Sequence, residues 1–280
     1  MKIIVSVLHM QRLIRSLPRP IILVPTMGAL HEGHLALVKQ ARRTAGKSGT
    51  VVSSIFVNPT QFGPNEDFQK YPRPFKTDCA LLRAARCDAV FAPTASEMYF
   101  EDRSISVLES SLSTLMCGAS RPGHFNGVCT VVSKLFNIVQ PDTAIFGEKD
   151  FQQLAILKRL VRDLNFPIRI QSCPTVREAD GLALSSRNRF LTPDQRKQAS
   201  IIFDTLKRAE EKVRSGMTST RALETFMERE IARAPLARID YVVAVDPQSL
   251  QKTKTVSVPL LLAAALFFDK TRLIDNRLIK

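Results

Sequence analysis

The strongest constraint on the fold is an alternation. Over the first 175 residues, short runs of β-branched and apolar residues take turns with longer segments whose apolar positions recur every three or four residues. The short runs lie at 21–24, 51–57, 89–92, 143–146 and 168–171, and the amphipathic segments at 35–45, 76–85, 127–139 and 151–164. A three-to-four period marks a helix with one buried face, and a short unbroken apolar run marks a strand buried on both faces. Strand, helix and strand in repetition form βαβ units, so the pattern predicts an α/β fold with a doubly wound parallel sheet covered by helices on both sides. The alternation stops near Cys173. A polar stretch at 177–188 follows, then a helix opened by Pro193 and running over 194–214, a second over 218–232, and strand-like runs at 239–245 and 258–268. Two units are therefore expected: a catalytic α/β domain over 1–175 and a smaller α+β domain over 176–280 that closes over the site.

Charge narrows the function classes. The chain carries 40 Lys+Arg against 26 Asp+Glu, a formal net charge of +14. Such an excess suits nucleic acid, an anionic membrane surface, a small anionic ligand or only a well-solvated exterior. Its distribution excludes a basic tail, because residues 1–175 hold 21 basic and 13 acidic groups, residues 176–280 hold 19 and 13, and no block of five like charges occurs. A nucleic-acid surface would also interleave aromatics with cations. Here Trp is absent and Tyr occurs three times, so no nucleic-acid partner is expected. The longest apolar run, 258–268, has 11 residues where a spanning helix needs about 20, so no membrane association is expected either. The five cysteines form no C-x-x-C pair and have no zinc spacing, which fits free thiols in a reducing compartment and a cytoplasmic location.

The segment richest in chemistry is IILVPTMGALHEGHLALVKQ at 21–40: a buried strand, a turn and a helix. Ligands of open α/β sheets bind beyond the carboxyl ends of the strands, where a helix N-terminus offers unpaired N–H groups and its positive dipole end to an anion. Gly28 and Gly33 stand five apart as in a phosphate loop, but His34-Leu35 follows where that motif needs Lys and Ser/Thr. His31 and His34 lie three apart and share one helical face. Zinc ligation would need ligands four apart and a third partner, so phosphate contact is expected ahead of a purely structural pair, and both ahead of a metal site. An imidazole N–H aimed at charge developing on a transferring phosphoryl group stabilises it without a covalent intermediate.

PTMGALHEGH resembles the pantothenate synthetase family, within the nucleotidyltransferase and class I aminoacyl-tRNA synthetase superfamily that carries H-x-G-H after a first strand. The resemblance continues in order through SIFVNPTQF (54–62), YPR (71–73), GASRPGHFNGV (118–128), FGEKDFQQL (146–154), DGLALSSRN (180–188) and TRLIDN (271–276). It implies a Rossmann-like nucleotide-binding domain and a two-step ligase. Pantoate and ATP would give pantoyl adenylate and pyrophosphate, and the amine of β-alanine would displace AMP to give pantothenate. By position it implies catalytic roles for His34, His31 and Lys149. It implies ATP contacts at Met27, Gly28, Ala29, Leu30, His31, Glu32, Gly33 and His34, at Gly147, Glu148, Lys149 and Asp150, at Val176, and at Leu184, Ser185, Ser186 and Arg187. Gln61, Gln153 and Asn58 would hold pantoate and β-alanine.

Elementary chemistry is consistent with these roles. Lys149 follows a strand-like run, Ser185 to Arg187 join two hydroxyls to a guanidinium, and neutral amides hold a hydroxyl and a carboxylate without fixing a charge beside them. The serine loop is expected to close over ATP as in the superfamily. His124 reads equally as a ligand contact or as loop structure. Mg²⁺ is implied with ATP, carried on phosphate oxygens rather than in a protein cage, with Asp78 the candidate protein carboxylate. The partners implied are pantoate, β-alanine, ATP and a second copy in a homodimer. Three positions depart from the family: Thr60 where Met is common, Cys117 where an acidic residue is frequent, and Asn126 where Arg is frequent. They bear on the pocket wall and loop electrostatics, not on the motif residues.

Overall fold

Six parallel strands form the sheet that the alternation predicts. In this computed structural model, which describes residues 1–64, 66 and 68–280, they are β1 (Lys2–Ile4), β2 (Ile21–Thr26), β3 (Thr50–Ile55), β4 (Ala89–Phe91), β5 (Thr143–Gly147) and β6 (Arg169–Cys173). Their order across the sheet is β1-β4-β3-β2-β5-β6. The helices between them are α1 (Val7–Ile14), α2 (Glu32–Ala45), α3 (Phe75–Ala84), α4 (Ala95–Met98), α5 (Met116–Ser120), α6 (His124–Val139) and α7 (Phe151–Asp163). Along β2 the side chains alternate: Ile21 and Leu23 join a core with α1, α6 and α7, while Ile22 and Val24 join another with α2 and α3. That two-sided burial is why β2 reads as an unbroken apolar run.

The chain winds outward from β2 through β3 to β4, then returns to β5 on the other side of β2. Strand order therefore reverses between β2 and β5, and a crevice opens at their carboxyl ends, where ligands bind in such sheets. β2 ends at Thr26, immediately before Met27–His34, and β5 ends at Gly147, two residues before Lys149.

The remaining chain builds helices α8 (Pro193–Ala199), α9 (Ile201–Arg214) and α10 (Thr220–Ile231), and an antiparallel meander of β7 (Ala237–Val245), β8 (Leu260–Phe268) and β9 (Thr271–Ile279). β8, LLLAAALFF, is buried on both faces. Leu261 and Ala263 join the core of the parallel sheet, whereas Leu260, Leu262, Ala264, Leu266 and Phe268 pack with α9 and α10. Among the described residues no helix is long and apolar enough to cross a membrane, and all five cysteines are free and buried.

Several elements differ from the sequence expectation. Residues 2–14 form an edge strand and an amphipathic helix, where the sequence reading assigned no element; β1 is too short and too exposed to show a period. The helix expected over 194–214 breaks at Ser200, which closes α8 and opens α9. β9 is concealed by its polar residues Arg272, Asp275, Asn276 and Arg277, of which Asp275 and Asn276 make the cross-element contacts described below.

Candidate active site

The turn after β2 is closed by side chains from neighbouring elements. Thr26 Oγ1 donates to the Ser54 carbonyl (2.6 Å) and accepts from Gly28 N–H (3.2 Å). Gly28 and Ala29 then turn left-handed, with φ of +83° and +50°. Beneath them lies Asp78 of α3, 1% exposed, whose two carboxylate oxygens accept from Ala29 N–H and Leu30 N–H, each at 2.9 Å. A Cβ on Gly28 would stand 2.9 Å from Asp78 Oδ2, so glycine is required both by φ and by this contact. Asp78 is thus a prop for the turn, with both oxygens committed to backbone donors; the expectation that it ligates Mg²⁺ finds no support in this geometry.

His31 caps α2: its Nδ1 accepts from Gly33 N–H (3.1 Å), and His31 N–H points to His34 Nδ1 (3.4 Å). With His34 N–H on the His31 carbonyl (2.8 Å), six of the seven backbone N–H groups from Gly28 to His34 have acceptors inside the protein. The sequence reading expected open N–H groups here; the fold spends them on its own turn. The donors left for an anion are the imidazoles. Because each Nδ1 accepts, each neutral ring carries its proton on Nε2. The rings pack against each other at a tilt, with centroids 4.1 Å apart and 46° between their planes. Burial, then His31, then Lys149 hold His34 down at a pKa of about 3, and burial followed by Lys149 lowers His31 as well. Both are neutral near pH 7 and serve as hydrogen-bond donors.

Lys149 sits in a 3-10 turn, Glu148–Asp150, and makes no ion pair among the described residues. The turn is tied from β9, because Asn276 Nδ2 donates to the carbonyls of Glu148 (2.9 Å) and Lys149 (2.8 Å). The adjacent Asp275, 3% exposed, holds Arg177 in a two-bond ion pair (2.6 and 3.0 Å), and Arg177 also donates to the Gly181 carbonyl (2.9 Å). Arg196 fixes the same stretch through Glu178 (2.6 Å) and Asp180 (2.5 Å). The 177–188 segment is therefore a bonded structure with Ser185–Arg187 at its crest. Ser185 starts a second 3-10 turn, its hydroxyl accepting from Arg187 N–H (3.3 Å).

On the other side of the crevice, Asn58 is 1% exposed and fully occupied. Its amide donates to Gln61 Oε1 and the Gly127 carbonyl, both at 3.1 Å, while its Oδ1 accepts from Tyr99 (2.8 Å) and Thr60 (2.9 Å). Its polar atoms orient Gln61, whose Nε2 rests on Met27 Sδ (3.0 Å). Thr60, one of the three departures, is part of this network.

These pieces enclose a cavity of about 240 Å³. Met27, His31, Gly33, His34, Asn58, Gln61, Gly147, Lys149, Asp150, Gln153, Val176, Ser185, Ser186 and Arg187 all line it. Six sequence candidates do not: Gly28, Ala29 and Leu30 turn back onto Asp78, Glu32 faces solvent beside Lys39, Glu148 accepts from Ser172, and the Leu184 side chain lies over Gly33. An apolar wall from α6, formed by Val128, Val131, Val132 and Leu135, carries no signal of its own in the sequence, because its period is that of any buried helix. A larger cavity of about 840 Å³ shares Lys149, Asp150, Gln153, Ser185 and Arg187 with the first and extends under β8 and β9. Among the described residues no cluster of three or more His, Cys, Asp or Glu could hold a metal ion.

A switch-point crevice holding paired neutral imidazoles, a lysine and a hydroxyl-guanidinium crest defines a nucleotide-binding enzyme of the Rossmann-like α/β class. The family profile described as Pantoate-beta-alanine ligase matches residues 2–278. A pantothenate synthetase from Moorella thermoacetica is 53% identical over 254 residues, 91% of this chain and 89% of that protein. One from Thermotoga neapolitana is 48% identical over the full length of both. Among solved structures, a pantothenate synthetase from Thermus thermophilus is 44% identical, superposes with a TM-score of 0.93 and covers 99% of both chains. A pantoate-β-alanine ligase from Francisella tularensis, described as complexed with β-γ ATP and β-alanine, is 34% identical with a TM-score of 0.81, covering 99% of this chain and 97% of its own. The chain belongs to the pantoate-β-alanine ligase family and is a ligase that uses ATP.

Proposed function

We propose that this chain condenses pantoate with β-alanine through a pantoyl adenylate, releasing pyrophosphate and AMP. The observation that carries the mechanism is the pair of neutral imidazoles, each with Nδ1 tied back and, among the described residues, no partner on Nε2–H, beside a Lys149 that makes no ion pair with any described residue. In the first step a pantoate carboxylate oxygen bonds to the α-phosphorus, the α–β anhydride bond breaks, and pyrophosphate leaves with the electron pair. That transfer needs alignment and charge stabilisation more than a protein nucleophile. His34 and His31 donate from Nε2 to the phosphate oxygens, Lys149 supplies a fixed positive charge, and Ser185, Ser186 and Arg187 bind the departing phosphates. In the second step the β-alanine nitrogen bonds to the acyl carbon, the bond to AMP breaks, and the amine gives up a proton.

Gln61 and Gln153 orient the hydroxyl and carboxylate of pantoate, the α6 wall receives its methyl groups, and Asn58 holds Gln61 in place. Val176 lies on the adenine side. Mg²⁺ would be carried on the phosphate oxygens of ATP, where it would offset their charge, and Asp150, a carboxylate lining both cavities, would be the residue to hold it. The residues 176–280 act as the second unit, covering the crevice over 1–175. The protein acts in the cytoplasm and as a homodimer, for which light scattering should give a mass near twice 31.3 kDa.

An AMP assay with each substrate omitted in turn tests the reaction. Pyrophosphate release should require ATP and pantoate only, and AMP release all three substrates. His34→Ala and Lys149→Ala should each lower kcat by on the order of a hundredfold or more, the effect of removing one charge-stabilising donor. AMP release without pantoate, or unchanged rates in both variants, overturns the reading.

A further inference from the structure

We propose that His124 is a positioning residue, setting the place of Gln61 by holding its backbone carbonyl. The inference rests on the reading of Gln61 as a substrate contact. His124 is the first residue of α6, reached through Gly123 at φ +81°. Its Nδ1 lies 2.7 Å from the Gln61 carbonyl, and its Nε2 lies 3.1 Å from Arg121 Nη1. A carbonyl only accepts and a guanidinium only donates. Both contacts are met together only by a neutral ring with its proton on Nδ1, the opposite tautomer to that of His31 and His34. Arg121 is fixed in turn by a two-bond pair with Glu66 (2.7 and 2.5 Å) and adds its own donor to the Gln61 carbonyl at 3.3 Å.

Gln61 is thus gripped at both ends, its carbonyl by His124 and Arg121 and its side chain by Asn58. One turn along α6, Gly127 completes the grip. Its carbonyl accepts from Asn58, and a Cβ there would stand 2.3 Å from the Thr60 carbonyl oxygen. His124 and Gly127 lie three apart, on one face of α6, against the Pro59–Gln61 turn.

The tautomer supplies a test that separates positioning from ring packing. An asparagine amide reaches about as far as Nδ1 of histidine, whereas a glutamine amide reaches the Nε2 position. His124→Asn should therefore keep the bond to Gln61 and leave the KM for pantoate within about threefold of the parent. His124→Gln and His124→Ala should raise that KM about tenfold, the worth of one buried hydrogen bond, with the KM for ATP and the melting midpoint little changed. If Asn and Gln behave alike, or if the KM for ATP rises in step, the inference fails. An absence of AMP formation in the parent enzyme would instead overturn the reaction on which it rests.

Discussion

Histidine tautomers carry most of the meaning at the residue scale. His31 and His34 keep Nε2–H for the crevice, and His124 keeps Nδ1–H for a carbonyl, each fixed by what its other nitrogen touches. All three rings resist protonation: His34 is held at about 3 and His124 at about 4, in both cases chiefly by burial, and His31 is lowered for the same reason. The unfolded chain takes up these protons near the ordinary 6.5, so between there and the folded values it binds more protons than the native state. Stability from these groups is complete above about pH 7 and is lost as pH falls from 6.5 toward 4. Urea midpoints measured from pH 7.5 down to 5 should fall, and His34→Gln should fall less steeply. A flat profile in the parent protein would contradict the assigned protonation. Asp78 teaches the complementary lesson, since a carboxylate chosen by type as a metal candidate is instead consumed by two N–H groups 49 and 48 residues away.

Among the elements, α6 does three things at once: it covers the sheet, forms the apolar wall of the crevice and fixes the Asn58–Gln61 turn. Gly127→Ala should expose the last of these. Since the added methyl meets backbone at 2.3 Å, the turn or the helix must move, at a cost of about 1–3 kcal/mol in stability. The measurement is a urea titration paired with pantoate KM; full stability with native KM would refute the close approach. The parallel strands β2 to β6 and the H-x-G-H turn were legible in the sequence because each depends on local period or spacing. The α6 wall was not, because apolar residues at three and four look alike whether they face a core or a ligand. Nor was the tie from Asn276 to Glu148 and Lys149, which spans 128 and 127 residues and leaves no local trace.

For the whole molecule, the charge of +14 divides into a few site cations and a broad exterior. Arg196, Arg177 and Arg121 are spent on carboxylates, while Lys149 faces the crevice. Asp275 and Asn276, adjacent on β9, hold the two segments proposed to bind ATP, so the antiparallel sheet is built into the site. β8 takes the same relation into the interior. Its Leu261 and Ala263 complete a core that includes Leu154, Leu157 and Val139, while its other face completes the core under α9 and α10. A strand that serves as a wall for two rooms cannot leave one standing alone. Calorimetry should accordingly record a single melting peak with equal van't Hoff and calorimetric enthalpies, and a chain ending at residue 175 should be insoluble or molten, its apolar floor open to water.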